Sequence, residues 1–255
     1  MRLVIDTDHS SLTCEHDDRT EKVPLYSDRA FELISEQWLK VGWNQRYPYT
    51  FSWFGRPIIQ LPEDMVRVQE VIYRLHPDVI LETGVAHGGS LIYYASLCQA
   101  LGQGRVIGID IEIRPANRLA IQQHPLASRI ELIEGSSVDP FIVDAARYLI
   151  KPGESVLVLL DSNHSRDHVA AELEAYHSLV TENSYLVATD GIMKDLADVP
   201  RGDSSWEDDN PVSAVNEFLE RHPEFILEQP AWPFNESTLQ KNLTHWPSAW
   251  LRRIR

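Results

Sequence analysis

From Asp78 onward the chain alternates between two hydrophobic patterns. Short runs that are apolar at nearly every position ("DVILETG", "GRVIGIDI", "RIELIEGS", "SVLVLLDSN", "SYLVATDG") are separated by stretches with helical spacing. Those stretches are "GSLIYYASLCQALG", "PANRLAIQQHP", "PFIVDAARYLI" and "RDHVAAELEAYHSLV", and a late one, "NPVSAVNEFLERHP", precedes two terminal strands, "EFILEQP" and "AWLRRI". Strands apolar on both faces are buried on both faces. The alternation therefore predicts an α/β fold: a doubly wound, mostly parallel sheet of Rossmann-like type with helices on both faces. Upstream, Phe31, Ile34, Trp38 and Val41 give an amphipathic helix from Asp28, with Asp28 as its N-cap. An aromatic loop follows (Tyr47, Tyr49, Phe51, Trp53, Phe54), then an extended "PIIQLP" and a helix opened by Pro62. Residues 1–27 are charged and weakly patterned and read as a loosely ordered arm. The expected organisation is an arm (1–27), a helical and aromatic-loop extension (28–77) and a ligand-binding domain (78–255).

In such sheets ligands bind beyond the carboxyl ends of the strands, at the switch point. In chain order those ends carry Glu82, Asp110, Glu134, Asp161 and Asp190. Each alone is an ordinary helix cap or loop carboxylate. Five on one rim repel one another unless a positive group joins them. After the first strand, Glu82 and Thr83 lead into a turn with Gly84, Gly88 and Gly89, and Ser90 opens the helix. Glycines there allow a sharp turn and close backbone approach, although a tight β–α turn needs no ligand to explain it. The dinucleotide fingerprint and the P-loop are both absent, and Glu82 would repel a pyrophosphate. Asp110 stands where a carboxylate accepts from a ribose diol, and Ser136 or Ser137 can meet an adenine edge. An adenosine with a cationic tail fits these loops, and S-adenosylmethionine is that ligand.

Composition narrows the partners. Lys and Arg number 23 against 38 Asp and Glu, a net charge of −15 with a pI near 5.0. That field disfavours nucleic acid and anionic membranes. No signal-type run and no bilayer-length apolar run is present, and the two cysteines, Cys14 and Cys98, suggest neither a disulfide framework nor a zinc site. The expectation is a cytoplasmic protein acting on a small molecule, with the exposed aromatics and the arm favouring a homo-oligomer.

The motifs "ETGVAHGGS", "IGIDI", "EGSS" and "LLDSNHS", together with the upstream "FSWFGRPIIQLPED", resemble the cephalosporin hydroxylase-type methyltransferases. That family includes the rhamnosyl and macrolide-sugar O-methyltransferases. The resemblance spans roughly residues 30–255. It implies S-adenosylmethionine as methyl donor and a divalent metal, usually Mg²⁺. It places a metal-binding aspartate on Asp161, a general base on His164 and a second metal carboxylate on Asp190. The acidic residue usual just before that last aspartate is Thr189 here; its hydroxyl can still ligate Mg²⁺ as a third metal-site residue, but the implied site loses a full negative charge. Two carboxylates on neighbouring strands suit a hard cation with oxygen ligands. A ferrous site would want a second histidine, and His168 is expected to face along its helix surface. The implied activity is O-methylation of a natural-product or sugar hydroxyl in secondary metabolism. Two alternatives stay open: carbon or nitrogen methylation without metal, and a cofactor-binding accessory subunit with no catalysis of its own.

Overall fold

The computed structural model describes residues 1–16 and 19–255. Twelve strands and seven α-helices are present among them. The ligand-binding half is built from β6 (Val79–Thr83), α3 (Gly89–Leu101), β7 (Arg105–Asp110), α4 (Pro115–Gln122), β8 (Ile130–Glu134) and α5 (Pro140–Leu149). Then come β9 (Val156–Leu160), α6 (Arg166–Tyr176), β10 (Tyr185–Ala188), α7 (Pro211–Arg221), β11 (Phe225–Leu227) and β12 (Trp250–Arg253). These strands form one seven-stranded sheet in the order β11-β12-β10-β9-β6-β7-β8. All pairings are parallel except those of β12, which runs antiparallel to both β10 and β11.

Every residue of β6, β9 and β10 is buried, and strand alternation sorts them between two cores. Ile80, Leu157 and Leu159 face Tyr94, Val68 and Trp250 on one side. Val79, Leu81, Val158 and Leu160 face Leu173, Tyr176 and Phe218 on the other. This is why the strand sequences read as continuous apolar runs. The order reverses between β6 and β9, so the loops after these two strands diverge and leave a crevice at their carboxyl ends.

The described residues of the N-terminal segment, 1–16 and 19–27, correct the expectation of a loose arm. β1 (Arg2–Asp6), β2 (Ser11–His16) and β3 (Arg19–Pro24) form an antiparallel three-stranded meander. Leu12 is fully buried and Cys14 nearly so, packed on Ala30 and Leu33 of α1 (Asp28–Asn44). Cys14 is therefore a core residue, not part of a polar tail. The cap of α1 also differs from the reading: Ser27 is the N-cap, its hydroxyl accepting from the Ala30 N–H at 3.3 Å, and Asp28 is the first helical residue. The aromatic loop contains a small hairpin, β4 (Phe51–Trp53) and β5 (Arg56–Ile58), turning at Phe54 and Gly55, which both have positive φ. It precedes α2 (Pro62–Leu75) and lies over the N-terminus of α3, where the Pro57 carbonyl crowds Gly89. The N-terminal extension thus closes the crevice from above. No helix among the described residues is long and apolar enough to cross a membrane.

Candidate functional site

Beyond Leu160 the chain leaves β9 with Asp161 pinned by its own backbone: its N–H donates to the Thr83 carbonyl at 2.9 Å, with the Thr83 hydroxyl 3.3 Å away. β10 ends one strand over, and Asp190 follows in a left-handed conformation (φ 54°) that swings its carboxylate back across the sheet edge. His164 reaches in from the loop before α6, and its Nε2 lies 3.5 Å from Asp190 Oδ2. One ligand-type atom from each of Asp161, His164 and Asp190 lies within 4.8 Å of the other two. All three line a cavity of about 230 Å³ whose other walls include Gly84, His87, Ser90 and Gln60.

The charges here are mutually destabilising. Burial raises the Asp161 carboxyl to about 7, with Asp190 repelling it in addition, and burial raises Asp190 to about 7 as well. Glu82 lies deeper, fully buried, and is pushed well above the ordinary carboxylate range, first by burial and then by Asp161. One Glu82 oxygen accepts from the Ser90 hydroxyl at 2.5 Å, while the other has no hydrogen-bond partner. Burial lowers the His164 pKa below its usual value, against the pull of Asp161 and Glu172. Its imidazole is thereby neutral near pH 7. A half-buried pair of carboxylates with raised pKa values accommodates a divalent metal.

The structure distributes the remaining sequence-derived candidates unevenly. Gly84 and Ser90 line the cavity with Asp161; Gly88, in the αL conformation, supports the turn from behind, with Ile121 against its Cα. Thr83 faces the Asp161 backbone, and Thr189 is 1% exposed, its hydroxyl engaged with the Leu160 carbonyl and Asp161 Oδ1. Thr189 therefore stands behind Asp161 and outside the cavity lining. Asp110 accepts from the N–H groups of Val85, Ala86 and Glu112, at 2.8, 3.0 and 3.1 Å. Two of its roughly four lone-pair positions hold the glycine loop and a third is taken by its own strand exit. Ser137 is buried against His168, with Ser136 beside it, and neither lines this cavity. Glu134 is exposed and paired with Arg118, at the far side of the sheet. The His168 ring is not on a free helix face: its Nε2 meets the Ser137 and Ser162 hydroxyls at 3.2 Å and Glu172 at 3.4 Å.

Gly84 is where the loop is least replaceable. Its φ is +91°, and a Cβ there would lie 2.0 Å from the Asp161 carbonyl oxygen. Gly84→Ala is expected to lower stability by at least about 2 kcal/mol and to displace Asp161. Gly102→Ala is the comparison, since Gly102 also has positive φ (+75°) but open space around it, and it should cost only about 1 kcal/mol. Urea denaturation of both variants measures the difference. Equal losses would mean that backbone conformation alone, and not the close approach to Asp161, explains the glycine.

Sequence reasoning missed Asp64, which reads as an ordinary acid in the first turn of α2. It is 3% exposed, accepts from the Thr244 hydroxyl and from the His245 N–H at 2.8 Å, and burial raises it to about 8. It ties the segment after α7 to the roof of the site. Its partners lie 180 positions away, so no local pattern reports it.

A family model described as rhamnosyl O-methyltransferase/CmcI matches residues 45–254. The rhamnosyl O-methyltransferase of Mycobacterium leprae (strain TN) is 30% identical over 176 residues, 68% of this chain and 74% of that relative. Among solved structures, the Mg–SAM form of CmcI superposes with a TM-score of 0.53 at 18% identity, covering 81% of this chain and 78% of its own. MycE methyltransferase from the mycinamycin biosynthetic pathway, in complex with Mg, SAH and mycinamycin VI, gives 0.51 at 16% identity, covering 95% and 67%. At these identities the two structures speak to the fold, which they share with the sheet described above. The sequence matches go further: the chain belongs to the rhamnosyl O-methyltransferase/CmcI family.

Proposed function

We infer that the protein is an S-adenosylmethionine-dependent, Mg²⁺-assisted O-methyltransferase acting on a hydroxyl of a sugar or natural product. The observation that carries this reading is the convergence of Asp161, His164 and Asp190 beside the Gly84–Ser90 turn. Family membership supports it, as do the Mg–SAM complex of CmcI and the Mg, SAH and macrolide complex of MycE.

The residues fit both groups. The two raised carboxylates would hold the cation, and a Cβ would close the space that Gly84 leaves next to them. When bound, S-adenosylmethionine supplies an electrophilic methyl group and the divalent ion supplies positive charge for the acceptor oxygen. His164, neutral near pH 7, takes the proton from the acceptor hydroxyl as the oxygen attacks. Thr189 and Thr83 fix Asp161, one through its carboxylate and the other through its backbone. Ser90 and Asp110 hold the shape of the loop that receives the donor. A reducing, cytoplasmic setting in which Cys14 and Cys98 stay free thiols, and assembly with further copies of the chain, complete the reading.

Calorimetric titration of S-adenosylmethionine into EDTA-treated protein, followed by addition of Mg²⁺ with a sugar diol, tests it. Donor binding without metal, with S-adenosylhomocysteine formed only after Mg²⁺ is added, is the expected result. Donor binding with equal turnover in EDTA would favour a metal-free carbon or nitrogen methyltransferase. Donor binding without turnover of any acceptor would favour the accessory subunit, and absence of donor binding would overturn the methyltransferase reading.

A further inference from the structure

A second cavity of about 200 Å³ adjoins the first and shares Tyr49, Ile59, Gln60 and Asp190 with it. Its own walls are aromatic on two sides: Trp43 meets Trp206 edge to face, ring centroids 6.1 Å apart, and meets the His245 ring at 5.4 Å. Two features are out of place in such a wall. The first is a pair of arginines, Arg46 and Arg201. Arg46 lies over the Tyr49 ring at 5.6 Å, and neither guanidinium is within ion-pair distance of a described carboxylate. Elsewhere some arginines rest on carboxylates, as Arg105 and Arg252 do, and others on carbonyl or amide oxygens, as Arg56 and Arg129 do. In a chain of net charge −15, two exposed guanidinium groups without described carboxylate partners line one cavity next to Asp190 and give it local positive charge. The second feature is His245. It is 4% exposed, and its Nε2 has no hydrogen-bond partner. Burial pushes its pKa down to about 4, so the ring is neutral. A neutral, buried imidazole nitrogen left without a partner is destabilising.

We propose that this cavity is the acceptor subsite and that it takes an acidic sugar or glycoside: a ring with hydroxyls toward Asp190 and an anionic substituent, carboxylate or phosphate, on Arg46 and Arg201. The guanidinium fork matches either anion bidentately, which a lysine would not do. The Trp43 and Trp206 faces hold the ring, with the His245 ring packed edge-on behind Trp43. The shared Asp190 sets the order of events in space: the anion is held on one side and the reacting hydroxyl is presented on the other, at His164. This inference rests on the O-methyltransferase reading only for what the hydroxyl then undergoes. The binding itself does not need the donor.

Trp43, Trp206 and Trp246 line the cavity, so its occupancy is read by intrinsic fluorescence without any methyl donor. Methyl glucuronoside, its carboxamide and glucose 6-phosphate are titrated into the full chain and into the double variant Arg46→Gln, Arg201→Gln. Saturable quenching by the glucuronoside at least 10-fold tighter than by its carboxamide, with that advantage lost in the double variant, is the expected result. Tighter binding of the glucuronoside than of the phosphate assigns the anion as a carboxylate, and the reverse order assigns it as a phosphate. Acid and carboxamide titrating alike, or an acid preference that persists without the arginines, would overturn the inference. Separate calorimetry with S-adenosylmethionine keeps the two readings apart. Failure of donor binding with an intact acid preference removes the methyltransferase and leaves the anion subsite. Turnover of neutral and acidic glycosides at equal rates does the opposite.

Discussion

Asp161→Asn is expected to lower turnover by at least about 10³-fold and, in the same sample stripped of metal, to make the protein more stable. The two effects have one source. Asp161 and Asp190 are both raised to about 7, from the 3.8 they have in an open chain, by burial and, at Asp161, by the charge of Asp190. Below about pH 4 both carboxyls are protonated whether the chain is folded or not, and there is no effect. Between about 4 and 7 the unfolded chain has released these protons while the folded chain retains them, so stability falls as pH rises. Above about 7 the cost is complete. The asparagine removes one member of that pair, so denaturation midpoints of variant and wild type in EDTA should diverge from pH 4 to pH 7 and then run parallel. Mg²⁺ binds the ionised pair, so it should restore stability to the wild type, increasingly from pH 5 to pH 8, and do little for the variant. A variant stabilised by Mg²⁺ as strongly as the wild type would remove Asp161 from the metal site. A variant no more stable than wild type in EDTA would remove the repulsion argument.

The same physics explains what the sequence disclosed and what it withheld. β6, β9 and β10 are buried on both faces, so their identity was written in uninterrupted apolar runs. Their polar exits, Glu82, Asp161 and Asp190, stood out because nothing else in the strands is charged. Position at a strand exit does not decide which way a side chain turns, however. Glu134 points to solvent and Arg118, Asp110 is spent on the backbone of the loop, and Glu82 is sealed under Ser90. Of the five rim acids, only Asp161 and Asp190 line the cavity, and what separates them is tertiary: the Thr83 clamp on one and a left-handed backbone on the other. The N-terminal meander was hidden for a different reason. Its strands cover α1 with one narrow face, where Leu12 and Cys14 carry most of the burial, and β1 and β3 are largely solvated. Two buried residues two positions apart are too little alternation to distinguish a strand from a polar tail. His245 and Asp64 were beyond reach for a third reason: their meaning depends on a contact across 181 positions.

His164→Gln is expected to reduce kcat by about 10²–10⁴-fold, the range for loss of a positioned general base. The size alone would not separate a base from a ligand, because His164 Nε2 sits within 4.8 Å of both aspartates and reaches Asp190 Oδ2 at 3.5 Å. The pH profile does. Burial lowers the His164 pKa below 6.5, so the base is already unprotonated at neutral pH and kcat should rise only through a limb below 6.5 and stay flat above it. The carboxyl pair would add a second limb near pH 7, but saturating Mg²⁺ holds both carboxylates ionised and removes it. Under saturating Mg²⁺ the wild type should therefore show one acidic limb, and His164→Gln should show none. Mg²⁺ affinity, read from the thermal shift as metal is added, should change less than 3-fold in the variant. A loss of Mg²⁺ affinity of 100-fold or more with the acidic limb retained would make His164 a metal ligand and leave proton removal to another group. Retention of the limb with unchanged affinity would take His164 out of the mechanism altogether. The neutral imidazole is what burial between two carboxylates achieves at this position: an exposed histidine would be half charged near pH 6.5, and one paired closely with Asp190 alone would be charged well above it. The site keeps its base ready by limiting, not excluding, its contact with solvent.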